Sequence, residues 1–122
     1  MKLKTLIVGM VSLLLPTAAV AWDGSVTGKV AMVSVNTDGQ VYVRLEGSPD
    51  LCTSTGSSSP TSRHSAVMKA GRSGDGITHT SEGVQLMLKL LLSAKLSGKA
   101  VEVNSSNSSG WGCTLGNVRL TE

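Results

Sequence analysis

The sequence predicts a mainly β domain, a five-stranded barrel with one α-helix between strands 3 and 4. Most of the chain consists of short stretches in which apolar and polar residues alternate, separated by turns rich in Gly, Ser and Asp. One longer stretch, residues 80–98, repeats its apolar residues at helical spacing instead. Three strands, a helix and two further strands are the element order of the OB-fold, a small Greek-key barrel.

The first 21 residues have the pattern of a secretory signal peptide. Two lysines precede an apolar run over residues 6–15, and an A-x-A cleavage pattern ends at Ala21. The run is about half as long as the roughly 20 residues that a membrane-spanning helix needs. We therefore expect residues 1–21 to be a signal peptide and residues 22–122 to be one exported domain, periplasmic or secreted, with no membrane span. A retained membrane anchor is the alternative.

Removal of the signal peptide changes the charge that bears on function. The full chain has 11 basic and 8 acidic residues and a formal net charge of +3. The signal peptide holds two of the lysines and no acidic residue, so the exported domain has a formal charge of +1. Binding to a nucleic-acid backbone depends on many Lys and Arg contacts clustered on one face. We therefore expect no nucleic-acid partner.

Cys52 and Cys113 are the two cysteines of the chain. An exported protein meets an oxidising compartment, and no third thiol or metal-ligand spacing competes for these residues. The sequence therefore predicts a disulfide between them. A metal site or a reactive thiol is the alternative reading of the same pair.

The strands are predicted from alternation and from turn signals. Residues 25–35 and 41–46 alternate on either side of Asp38-Gly39, which is a hairpin signal. The apolar parity of the first strand changes between Val30 and Met32, which indicates a bulge.

The later strands are less regular. Residues 47–65 predict a long loop that the disulfide ties down, residues 62–70 a weak third strand, and residues 71–76 a return to loop. Residues 100–104 and 111–120 predict the last two strands, with a parity change around Gly116.

The helix is bounded by clear signals. Thr80 or Ser81 is the predicted N-cap and Gly98 the C-terminal stop. Its apolar arc covers about 200°, which is wider than a helix on a small barrel needs to cover the core. We expect the surplus to lie in a subunit interface, and covering loops are the alternative. The residues assigned to that interface are Met87, Leu88, Leu91 and Lys95.

No motif in the sequence predicts catalysis. His64 and His79 have no Cys, Asp or Glu at metal-ligand spacing. No serine lies in a Gly-x-Ser-x-Gly motif, and the glycine-rich residues 71–76 lack the lysine of a phosphate-binding loop. We therefore expect a protein that is not an enzyme and that has no metal site and no cofactor.

Binding has more support than catalysis. OB-folds commonly bind ligands across strands 2 and 3 and the neighbouring loops. Tyr42 and Arg44 would lie on the outer face of strand 2, Asp38 in the first hairpin, and Asn107 and Trp111 in the last turn. An aromatic residue with small polar neighbours suits a sugar. An ordinary exposed strand face is the alternative for Tyr42 and Arg44, and for Trp111 we favour packing on the disulfide over exposure.

Three segments carry a resemblance to a known family. They are Gly28-Lys29-Val30 in the first strand, Leu45-Glu46-Gly47 before the first cysteine, and residues 91–101, LLSAKLSGKAV, at the helix exit. With the signal peptide, they resemble the pentameric B subunits of A-B toxins, those of the subtilase cytotoxin type in particular. The resemblance implies an OB-fold, a ring of five subunits with the helices at its centre, and glycan binding on the outer barrel. The ligand residues of the toxin family do not match this sequence one by one.

Two functions follow as hypotheses. The first is an exported, oligomeric OB-fold module that recognises a glycan and belongs to a toxin-like assembly. The alternative is an exported protein-interaction or structural module whose partner is another exported protein and which has no sugar site.

Overall fold

The computed structural model describes residues 22–121, and the expected signal peptide, residues 1–21, lies outside the described residues. The described part contains seven strands, one α-helix and one 3-10 helix. In chain order they are β1 (Gly24–Val35), β2 (Val41–Leu45), the 3-10 helix (Pro60–His64), β3 (Ala66–Met68), β4 (Ser73–Gly74), β5 (Ile77–Thr78), α1 (Ser81–Ser97), β6 (Ala100–Ser106) and β7 (Cys113–Leu120).

Five of the strands close into a barrel in the order β1, β2, β3, β7, β6. The pairing of β3 with β7 is parallel and the other pairings are antiparallel. Strand β1 has two neighbours, since its first half pairs with β6 and its second half with β2. The predicted bulge lies between Val30 and Met32, where β1 changes neighbour. A bulge bends a strand, so this one lets a single strand serve both sides of the barrel.

The mainly β fold with one α-helix is confirmed, but the predicted position of the helix is wrong. Strands β4 and β5 form a separate two-stranded hairpin, which begins within the segment expected as loop, residues 71–76. Asp75 and Gly76, with φ of 56° and 77°, make its tight turn. Because of this hairpin, α1 follows the fifth strand of the chain and not the third. Strands of two residues leave too short a pattern for alternation to detect.

The barrel encloses the core. Alternate residues of β2, Val41, Val43 and Leu45, are buried, while Tyr42 and Arg44 between them point outward. The helix closes the core with its buried residues Val84, Leu91 and Ala94.

Both predicted helix ends are confirmed. Thr80 is the N-cap, and its Oγ1 accepts a hydrogen bond from the backbone N–H of Gly83 at 3.0 Å. Gly98 ends the helix in the left-handed conformation with φ of 69°. The caps fix where α1 begins and ends, and therefore which of its residues face the barrel.

The orientation of the helix changes the expected interface. Leu91 is 0% exposed and belongs to the core, so it offers no surface to a partner. Met87 and Leu88 are partly buried against the core, and the Lys95 ammonium donates to the Ala31 carbonyl at 3.0 Å. The sequence indicated a broad apolar arc, but not which part of it would face the barrel. The exposed leucines of the helix are Leu86, Leu92 and Leu96.

The predicted disulfide between Cys52 and Cys113 is confirmed, with 5.8 Å between the two Cα atoms. It joins the long loop after β2 to the first residue of β7. Both cysteines are buried. The bridge therefore fastens a loop with few apolar residues directly to the core.

Further along β7, the ring of Trp22 packs on Gly116, where any Cβ would overlap the indole. Gly116 is the extra residue of an irregularity opposite Asn104 and Ser105, which agrees with the predicted parity change.

Within residues 22–121, no helix has the length and apolarity to cross a membrane.

Replacing both Cys52 and Cys113 by Ser should lower the free energy of unfolding by about 4 kcal/mol, because the bridge closes a chain separation of 61 residues. Urea unfolding at equilibrium measures the difference. A reductant should destabilise the wild-type protein to the same extent and leave the double variant unchanged. Equal stability of variant and wild type would show that the bridge does not constrain the chain.

Candidate functional site

Tyr42 and Trp111 form an aromatic pair on the outside of the barrel. Tyr42 points outward from β2, and Trp111 lies in the loop between β6 and β7. Their ring centroids are 6.0 Å apart and the rings meet at 66°, an edge-to-face arrangement. Trp111 is 44% exposed. The expectation that this indole is packed on the disulfide rather than exposed is therefore wrong.

The backbone next to Trp111 explains its position. Val67 faces outward on β3 beside Tyr42, yet it is fully buried because the loop from β6 to β7 lies over it. The backbone of Gly112, with φ of 90°, passes directly over Val67, and a Cβ at Gly112 would meet the Val67 side chain at 2.5 Å. Only glycine allows this approach. This close passage of Gly112 over Val67 positions the Trp111 indole against the Tyr42 ring.

Asn107 holds the same loop from the other end. Its side-chain Oδ1 accepts hydrogen bonds from Thr53 N, Thr53 Oγ1 and Ser54 N at 2.9 to 3.0 Å. Its backbone N–H donates to the Asp23 carboxylate at 2.8 Å. Asn107 was predicted as a ligand residue, but the structure places its acceptor oxygen in contacts within the protein. Its role in these contacts is to fix the loop that carries Trp111.

A groove of about 440 Å³ lies beside the aromatic pair. Trp111 forms one wall, and Gln40, Lys69 and Arg72 come from the turns at the ends of β1 and β3. These three polar side chains were not predicted as site residues. Their meeting depends on the pairing of β2 with β3 and on the β4–β5 hairpin, which the sequence pattern shows only weakly.

Charges at the groove occur as ion pairs. The Lys69 ammonium lies 3.5 Å from the Asp38 carboxylate, and the Arg72 guanidinium 4.0 Å from that of Asp75. The structure thus brings the predicted ligand residue Asp38 to the rim of the groove. Solvent-accessible pairs of this kind contribute little to stability. Their donors and acceptors can exchange partners with a polar ligand at low cost.

Arg44 lies on the same outer face as Tyr42, two residues further along β2. Its guanidinium donates to the Ser65 hydroxyl at 3.4 Å, and its Nε is buried with no hydrogen-bond partner. The predicted residues Tyr42, Arg44 and Trp111 therefore share one face of the barrel.

His79 is a structural residue beneath the groove. It is buried, its Nε2 lies 2.7 Å from the Leu115 carbonyl, and its Nδ1 accepts from the backbone N–H of Lys69 at 3.4 Å. The ring therefore carries its proton on Nε2 and ties the end of β3 to β7.

Within residues 22–121, no group of three His, Cys, Asp or Glu side chains could hold a metal ion.

Two further regions of polar side chains lie apart from the groove. A cavity of about 220 Å³ lies in the serine-rich loop after Cys52, where the hydroxyls of Thr55 and Ser62 bond each other. On β6 and β7, hydrogen bonds from Arg119 and Asn104 hold the pKa of the Glu102 carboxyl below its ordinary value. Neither region combines polar groups with an exposed aromatic face.

Comparison of the chain with protein-family models, with curated proteins and with solved structures gave no match.

Replacing Asn107 by Ala should lower the free energy of unfolding by about 1 to 3 kcal/mol, because three donors lose a shared acceptor. Denaturant unfolding measures this difference. The matched control is Ser109→Ala, an exposed position in the same loop, which should stay within about 0.5 kcal/mol of the wild type. If both variants are as stable as the wild type, Asn107 does not hold the loop.

Proposed function

We propose that the protein is an exported OB-fold module that binds a glycan at the aromatic pair and its groove. We also propose that it assembles into a homo-oligomer, up to a ring of five as in the B subunits of A-B toxins. The observation that carries the glycan proposal is the half-exposed indole of Trp111, packed on Tyr42 at the wall of a polar groove.

The chemistry of the groove suits a sugar. An aromatic face packs against the C–H surface of a pyranose, while fixed donors and acceptors meet its hydroxyls. Lys69 and Gln40 supply donors within reach of the indole, and Asp38 beside Lys69 supplies acceptors. A single strand of nucleic acid is less suited to this surface, because it needs several stacking aromatics and a positive groove.

The connectivity supports the OB-fold. Counted among the five barrel strands alone, α1 lies between the third, β3, and the fourth, β6. A long, bulged first strand with two neighbours fits a small Greek-key barrel of this kind. The hairpin of β4 and β5 is then an insertion ahead of the helix.

Export is supported by the buried disulfide, since such bridges persist in oxidising compartments. The signal-peptide pattern of the first 21 residues points the same way. Periplasmic and secreted locations are both compatible with this bridge.

Self-association is supported by the outer surface of α1. Leu86 is 62% exposed, Leu92 43% and Leu96 89%. In addition, β1 beyond Lys29 has no strand partner on its β6 side among residues 22–121. Exposed leucines and an unpaired strand edge are both features that protein interfaces cover.

The same leucines favour a second candidate function. A different exported protein could cover this surface, which would make the chain a protein-interaction module. The mass of the purified protein distinguishes this case from self-association, because a module whose partner is a different protein is a monomer when purified alone.

Replacing Trp111 by Ala should weaken glycan binding about tenfold or more, because the sugar loses its aromatic contact. A glycan array with the purified exported protein identifies the ligand, and titration of that ligand gives Kd. Lys89→Ala, an exposed change on α1, serves as the control and should leave Kd unchanged. An array without a binder would count against the glycan proposal, and equal affinity of Trp111→Ala would remove the aromatic pair from it.

Light scattering should give a mass of at least twice that of one chain. Replacing Leu92 and Leu96 by Glu should reduce the mass to that of a monomer with the barrel still folded, because neither side chain belongs to the core. Ser109→Glu, which also adds an acidic group at an exposed position but lies in the loop between β6 and β7, should keep the wild-type mass. A monomeric wild-type protein would overturn the proposal of self-association.

A further inference from the structure

The arginines of the chain differ in their partners. The sequence contains four, all within the described residues. Three of them lie within 4.0 Å of a carboxylate, whereas Arg44 has no carboxylate at that distance within residues 22–121. The three pairs are Arg63–Asp50 at 3.6 Å, Arg72–Asp75 at 4.0 Å and Arg119–Glu102 at 2.8 Å.

The hydrogen bonds of Arg44 are also incomplete. A guanidinium has five N–H donors. In Arg44 one nitrogen donates to the Ser65 hydroxyl at 3.4 Å, while the buried Nε has no partner. The side chain is partly buried, so water compensates its charge only in part. A cation in this position is stabilised by an anion that reaches its terminal nitrogens.

The position of Arg44 connects it to the proposed glycan site. Tyr42 and Arg44 lie two residues apart on one strand face, which separates them by about 7 Å. On the neighbouring strand segment, Ser65 lies beside Arg44 and Val67 pairs with Tyr42. A sugar on Trp111 and a group on Arg44 would therefore lie side by side along the same face.

We propose that Arg44 forms an oxyanion subsite and that the glycan carries a carboxylate or sulfate group which binds there. This inference rests on the glycan-binding function proposed above. A guanidinium binds both groups through two parallel hydrogen bonds. Lys69 and Arg72 differ from Arg44 in this respect, because each of them already has a carboxylate partner, Asp38 and Asp75 respectively.

The first test compares three forms of one glycan: neutral, carboxylated and sulfated. Wild-type protein should bind one of the charged forms about tenfold more tightly than the neutral form, and Arg44→Gln should remove that preference. The affinity of Arg44→Gln for the neutral form should equal that of the wild type. Arg119→Gln, on another face of the barrel, should keep the preference. Equal affinities of wild-type protein for all three forms would overturn the subsite.

The second test does not depend on a glycan. In nitrogen-15 NMR spectra of the arginine side chains, sodium sulfate should shift the Nε–H resonance of Arg44 more than that of Arg119, relative to sodium chloride at equal ionic strength. Equal shifts would overturn the subsite. If no glycan binds but Arg44 responds to sulfate, the glycan function fails while the oxyanion subsite stands. If glycans bind without regard to charge, the function stands and the subsite fails.

Discussion

The bridge between Cys52 and Cys113 is the constraint on which the rest of the molecule depends. It joins a loop with little apolar surface to the first residue of β7. Such a loop has little hydrophobic reason to stay in place, because burial of apolar area is the main force that orders a chain. The covalent link compensates for that lack and brings the loop within reach of the segment that follows β6.

Once the loop is fastened, hydrogen bonds position its neighbour. Asn107 takes three donors from the two residues after Cys52, and Gly56 donates to the carbonyl of Gly110 at 2.9 Å. These contacts tie the loop from β6 to β7 against the serine-rich loop. Gly112 then crosses Val67 closely and leaves Trp111 beside Tyr42. The candidate site is therefore built from loops, and the barrel supplies its rigid floor.

Short sequence patterns predicted most of the strands and the helix, but they predicted the candidate site less completely. The hairpin at Asp38-Gly39, the caps of α1 and the bulge of β1 each depend on a few neighbouring residues, so the sequence shows them directly. The exposure of Trp111 depends instead on Gly112 lying over Val67, a contact that no short pattern contains. The presence of Lys69 and Arg72 at the groove and the burial of Leu91 are also not contained in a short pattern, because each depends on how distant elements pack.

The aromatic pair also gives the protein a built-in optical signal. Tyr42 is the only tyrosine of the chain, and its ring centroid lies 6.0 Å from that of Trp111. Excitation energy passes from tyrosine to tryptophan efficiently at such a separation, so excited Tyr42 passes its energy to the half-exposed indole, which emits in its place. The other tryptophan, Trp22, packs on Gly116 at a different part of the barrel. The unlabelled protein therefore reports on the state of its own outer face through the balance of its tyrosine and tryptophan fluorescence.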